Sequence, residues 1–216
     1  MKTTIFASMF LMHFVVFGQS DYKNRMIFPD FVQGKVFFKD GTAALAPLNY
    51  DTYEEEMIFN NNGEFMAVAT PQNVAKIMIQ GKTFEWLEGD VFLEKIDTAG
   101  FVMYRRNRNQ LMSKGKGMPY GGVSSNAAVS TVSRLPHGAE AQAKDLTIDE
   151  EFELTPDNLF YAKTGNGFKA LISAKQIGKA YDFDVKELTK YIKAEKIDMQ
   201  QIQDVVQVIQ HFKNGN

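Results

Sequence analysis

The stretch "VAKIMIQGKTFEWLEGDVFLEKIDTAGFVMYRRN", residues 74–107, decides how the rest of the chain is read. It is a succession of short apolar-rich runs, "VAKIMI", "KTFEWL", "VFLEKID" and "FVMYRRN", with turn residues at Gln80 and Gly81 and again at Ala99 and Gly100. Runs rich in branched and aromatic residues, broken at intervals of about 8 to 12, form antiparallel strands. Successive side chains of a strand point to opposite faces, so Phe84 and Trp86 share one face and Thr83 and Glu85 the other. Trp86, the single tryptophan, is therefore read as a core residue beside Phe84 rather than as a platform for a sugar.

The same texture extends back to Phe31. "VFF" gives way to "KDG", and "EEMIF" to "NNNGE", where Asn62 and Gly63 supply the positive φ of a tight hairpin turn. The span from Phe31 to about Asn107 predicts about seven or eight strands in a bent sheet, a sandwich or a small barrel.

Beyond residue 145 the pattern changes. "DLTIDEEFEL" precedes a last hairpin, "NLFYAK" and "FKALI", turning at Gly165, Asn166 and Gly167. Three short helices follow, their starts marked by Ser173 with Gln176, Asp184 with Glu187, and Asp198 with Gln201, each pair spaced as a capping box. Ile202, Val205, Val206, Ile209 and Phe212 form an apolar stripe on the last helix, as do Val185, Leu188, Tyr191 and Ile192 on the middle one. The fold class is α+β: an antiparallel β-rich domain followed by a small three-helix C-terminal unit.

At the other end, "MKTTIFASMFLMHFVVFGQS" has Lys2, an apolar run from Ile5 to Phe17, and then small residues, the plan of a secretory signal peptide. Cleavage is expected before Gln19 or before Asp21. Thirteen residues, His13 among them, fall short of the roughly 20 that cross a bilayer, so no membrane span is expected. With 0 cysteines the chain has no disulfide, no thiolate ligand and no acceptor for a bacterial lipid anchor. Loss of the leader removes Lys2 and no acid, leaving a net charge of about −3 that selects no general partner. The expected location is the periplasm or the medium outside the cell.

Most catalytic motifs fail on physics. "GKT" at Gly81, Lys82 and Thr83 has Lys76 where a phosphate loop needs its first glycine, and a strand where that loop needs a helix. "GGVSSNA" has Asn126 in the place of the last glycine of a nucleophile elbow, and a base would have to come from His137 or His211. Two distant histidines without thiols do not make the usual zinc shell. No cofactor is expected. Nucleic acid is not expected as a partner of an exported, mildly acidic chain.

One electrostatic feature survives. Arg105, Arg106, Arg108, Lys114 and Lys116 fall within twelve residues that contain no acid, and are the candidate ligand-binding residues. Read as function, they form an anion-binding lip for a glycan, a lipid head group or an envelope protein. Read as structure, they pair with the acidic run Asp145, Asp149, Glu150, Glu151, Glu153 and Asp157 or point to water. The lip borders "SKGKGMPYGGVSSNAAVSTVSR", residues 113–134, a long excursion with too little apolar bulk to anchor a strand. The domain plan is a leader over 1–18, a β domain over 21–112, a Gly/Ser/Ala-rich flexible loop over 113–145, an acidic segment with the last hairpin over 146–172, and helices over 173–213.

With "GKVFFKDG" and "LNYD" in the β domain and "ELTKYIKAEKIDMQQIQDVVQVIQHFK" as its tail, the chain resembles exported β-rich proteins of Gram-negative bacteria that end in a short helical unit. The resemblance implies fold and export, and no catalytic residue. The expected function is non-enzymatic binding or assembly in the bacterial envelope. The alternative is a secreted hydrolase using carboxylates, with Asp51, Glu54, Glu55 and Glu56 as the densest candidates.

Overall fold

The computed structural model describes residues 24–98, 100–113 and 152–215. Eight strands occupy the first part: β1 (Val32–Phe38), β2 (Ala43–Asp51), β3 (Glu56–Asn61), β4 (Glu64–Ala67), β5 (Val74–Ile79), β6 (Lys82–Glu88), β7 (Val91–Thr98) and β8 (Phe101–Arg106). They are followed by β9 (Asn109–Ser113), β10 (Phe152–Pro156), β11 (Leu159–Thr164), β12 (Gly167–Ala170) and the helices α1 (Ala174–Tyr181), α2 (Val185–Ala194) and α3 (Ile202–Asn214).

Ten strands form one antiparallel sheet in the order β12-β11-β8-β7-β6-β5-β1-β2-β3-β4, and β9 and β10 pair as a separate ribbon. One meander, β1 to β4, grows from one edge of β1. The chain then returns through a 3-10 turn at Pro71–Asn73 and lays a second meander, β5 to β8, on the other edge. The hairpins close where the turn residues allow it. Asn62 and Gly63 have φ of 54° and 96°, and Gln80 and Gly81 have 47° and 79°, the left-handed region that tight hairpin turns require.

The sheet is strongly coiled. Tyr50 on β2 and Phe84 on β6 are separated by two intervening strands, yet their rings stack with centroids 5.9 Å apart. The inner face so enclosed holds a core of Leu48, Tyr50, Met57, Ile77, Ile79, Phe84 and Phe92. Each fully buried side chain of this size contributes roughly 1.5–3 kcal/mol. A second core lies under the helices, where Met103, Phe160, Ala162 and Leu171 meet Ile177, Leu188, Val205, Val208 and Ile209.

A single cross-strand row runs through both cores. Ala44, Val36, Ile77, Phe84, Glu94, Arg105 and Phe160 are successive partners from β2 to β11, so one acid and one base stand side by side between two apolar regions. Ahead of β1 the chain pairs again with β2 through Met26 and Asp51. The intervening residues are held by the buried Asn49 amide, which accepts from the Phe28 N–H at 3.1 Å and donates to the Phe28 and Asp30 carbonyls at 2.8 and 3.2 Å.

The eight strands and the last hairpin stand where the sequence places them, and the hairpin joins the main sheet beside β8. Phe84 is fully buried, and Trp86 packs against the first core with its Nε1 donating to the Gly89 carbonyl at 2.9 Å. Two of the three caps also form: the Ser173 side chain accepts from the Gln176 N–H, and Asp184 from the Lys186 and Glu187 N–H groups. The third differs. Asp198 heads a turn that precedes α3, accepting from the Gln200 N–H at 2.9 Å, and Gln201 occupies the cap position with no side-chain bond. The Asp204 carboxylate accepts from the Asp198 N–H at 2.7 Å, the amide that the Gln201 side chain would take in a capping box.

Gly34 lies on the inner face of β1, where a Cβ would stand 2.7 Å from Leu48 Cδ1, 3.0 Å from Ile79 Cγ1 and 3.1 Å from the Met78 carbonyl oxygen. Gly34→Ala is expected to destabilise the protein by about 1–3 kcal/mol, read as a lower urea midpoint. An unchanged midpoint would mean that Leu48 has room to withdraw.

Candidate functional site

Charged side chains converge at one end of the sheet, around the turn between β2 and β3. Asp51 ends β2 and is 1% exposed. Its carboxylate accepts from Arg25 Nε at 3.2 Å and Nη2 at 2.6 Å, and from the Tyr53 and Glu54 N–H groups at 2.9 and 3.1 Å. Arg25 also meets Glu54 at 3.2 Å. Glu55, equally buried, has a φ of 62°, a conformation that costs a non-glycine residue on the order of 1 kcal/mol. That backbone aims its carboxylate at two guanidinium groups, Arg106, with which it bonds directly, and Arg108, whose Nε is 3.6 Å away.

The network spreads into three further turns. Arg108 also pairs with Asp157 between β10 and β11, and Asp157 accepts from Gln200 Nε2 at 3.0 Å, just ahead of α3. Thr52 donates its hydroxyl to the Arg25 carbonyl at 2.6 Å and accepts from Asn109 Nδ2 at 2.7 Å, while the Asn109 N–H bonds the Thr52 carbonyl at 2.8 Å. The base of the β9–β10 ribbon is thereby bound to the β2–β3 turn. Burial opposes the charge on Arg106, but the Glu55 carboxylate and the Tyr161 hydroxyl outweigh it and hold the guanidinium above its ordinary value.

A second cluster sits in the seam between the two cores. Glu94 on β7 takes Lys82 Nζ at 2.5 Å, Arg105 Nη2 at 2.7 Å and Asn107 Nδ2 at 2.9 Å. Burial pushes the Glu94 carboxyl up, and these three donors more than reverse it, so its pKa lies below the usual carboxylate value of 4.5.

Three of the five candidates of the basic lip can now be placed. Arg105 is bound to Glu94, Arg106 to Glu55, and Arg108 to Glu55 and Asp157. Arg106 and Arg108 share Glu55, whereas Arg105 belongs to the separate Glu94 cluster; each is held by acids of its own fold. Lys114 and Lys116 fall outside the described residues, as do residues 114–134 of the adjoining excursion. Of the carboxylates considered for hydrolysis, Asp51, Glu54 and Glu55 are joined to arginines, and Glu56 begins β3. Among the described residues, no group of three or more His, Asp or Glu side chains could hold a metal ion. A depression of about 340 Å³ lies instead between α2 and α3, where the Tyr191 and His211 rings stack at 4.1 Å.

Sequence reasoning missed Arg25, Lys82, Glu94 and Asn107. A signal for Glu94 was present: by strand alternation it points inward with Phe92, and a charged side chain at an inward position of an aromatic strand requires a partner.

Two measurements test these roles. Glu55→Gln leaves two guanidinium groups facing a neutral amide and is expected to cost about 3–5 kcal/mol in urea unfolding, whereas an unchanged midpoint would show the pairs to be dispensable. For Glu94 the folded pKa is depressed, so its stabilisation is present above about 4.5 and is lost as pH falls through the folded value. The thermal midpoint should therefore drop as pH falls below about 4.5, and Glu94→Gln should flatten that limb. Comparison with protein-family models, with curated proteins and with solved structures returns no match.

Proposed function

We propose that this protein is exported and works by binding or assembly in the bacterial envelope rather than by catalysis. The observation that carries this reading is the commitment of Asp51 and Glu55 to Arg25, Arg106 and Arg108. A carboxylate-dependent hydrolase needs two carboxyl groups facing one another across a space for substrate, with at least one free to exchange a proton. Here the densest acids tie the segment ahead of β1 to the turns after β2, β8 and β10, which is the work of a fastener. The apolar run of residues 5–17 behind Lys2 supports export.

Because Arg105, Arg106 and Arg108 already bond internal acids, an anion at that lip would have to compete with Glu94, Glu55 or Asp157 for their charge. That competition favours a partner that docks on another face of the sheet, with the ion-pair cluster keeping the platform rigid.

The test has two arms. When the full chain is expressed in a Gram-negative host, N-terminal sequencing of the periplasmic fraction should read from Gln19 or Asp21, and an intact Met1 confined to the cytosol would overturn export. Purified protein should give no turnover of polysaccharide, ester or peptide substrates. Hydrolysis that Glu55→Gln abolishes while the circular dichroism spectrum is retained would overturn the binding reading.

A further inference from the structure

The outer face of the sheet is unevenly charged, and the imbalance is local. On the half built from β7, β8 and β11, cations are matched: Lys95 meets Asp97 at 3.3 Å and Lys163 meets Glu85 at 2.5 Å. On the half built from β2, β1 and β5, Lys35 and Lys76 have no ion-pair partner among the described residues. Glu85, one step along β6 from the Ile77–Phe84 pair and so the acid nearest Lys76 in register, is taken by Lys163 and by the Tyr104 hydroxyl at 3.0 Å.

These lysines sit in an ordered pattern. Lys35 is the cross-strand partner of Leu45 on one side and Met78 on the other, and in the next row outward Phe37 is the partner of Ala43 and Lys76. Leu45 is 68% exposed and Met78 39%. The two ammonium groups lie 4.9 and 5.0 Å from the centroid of the Phe37 ring, held there by its quadrupole.

We infer that this face, centred on Lys35, Phe37 and Lys76 and flanked by Leu45 and Met78, docks the protein on an anionic phospholipid surface. The inference rests on the binding reading above and names its partner. Charge complementarity selects an anion, since the patch carries two unmatched cations and no free acid. An acidic glycan would stack on an open aromatic ring, but the Phe37 ring is already engaged by ammonium groups, and the exposed apolar side chains beside it are Leu45 and Met78. A protein interface would deplete lysine at its centre, where this patch places Lys35. Lysines around isolated aliphatic side chains suit a lipid surface: the ammonium groups meet phosphates while Leu45 and Met78 enter the boundary between head groups and acyl chains.

The experiment is flotation of the purified full chain with vesicles of phosphatidylglycerol mixed into phosphatidylcholine, against phosphatidylcholine alone, at low and moderate salt. Binding is expected to require phosphatidylglycerol and to weaken with salt. Lys35→Glu with Lys76→Glu should weaken it at least about tenfold, because each cation near an anionic surface contributes on that order. Leu45→Ser with Met78→Ser should weaken it without changing its slope against salt. Lys175→Glu with Lys186→Glu, two exposed lysines on the helices, makes the same change in net charge and should bind as wild type. The thermal midpoint of each variant checks its fold. Equal flotation with both vesicle types, or equal binding by the Lys35, Lys76 variant and wild type, would overturn the inference. Retention on an immobilised polyuronate without flotation would overturn the lipid assignment while leaving a binding function in place.

Discussion

Buried carboxylates joined to guanidinium groups set the terms for this fold. Asp51, Glu55 and Glu94 are almost wholly removed from water, a position that an ionised group tolerates only with a partner and with hydrogen bonds to its remaining lone pairs. Their partners come from segments far apart in the chain: Arg25 from the residues ahead of β1, Arg105 from β8, and Arg106 and Arg108 from its end and the turn beyond. Through Asp157 and Gln200 the same network reaches the helical unit. Such pairs add little or no net stability against a well-packed apolar replacement, but leaving one member unmatched is severe, so they penalise arrangements in which the turns do not meet.

The seam at Glu94 and Arg105 has a second consequence. It divides the inner face of one continuous sheet into an enclosed aromatic core and a helix-covered core. On that inner face one hydrogen-bonded framework carries two hydrophobic cores with a charged pair between them, and a smaller cluster of Leu93, Tyr104 and Tyr161 lies on the other side of the same strands. The outer face carries the opposite logic. Its cations are matched toward β11, whereas Lys35 and Lys76 toward β2 have no ion-pair partner among the described residues.

Much of the fold was legible because its determinants are local. Alternation in "KTFEWL" sorts Phe84 inward and Glu85 outward, and Asn62 and Gly63 turn a hairpin through their own backbone freedom. The caps at Ser173 and Asp184 act across two or three residues. The third cap failed for the same kind of reason, since Asp204 competes for the Asp198 amide from one turn away. The site was less legible. Clustering drew attention to Arg105, Arg106 and Arg108 and to Asp51, Glu54 and Glu55, but as two separate features, one for anions and one for catalysis. They are largely one network.

What the sequence determined by itself is the strands up to β8, the last hairpin, the faces of those strands and the starts of two helices, because strand period, turn chemistry and capping are properties of near neighbours. The β9–β10 ribbon, which pairs residues 109–113 with 152–156, was not legible in it. Only the tertiary structure decided which acid meets which base, and therefore which cations remain for a partner. Glu55 and Arg106 are separated by 51 residues, and their meeting depends on the coil of the sheet, a product of every strand pairing between them.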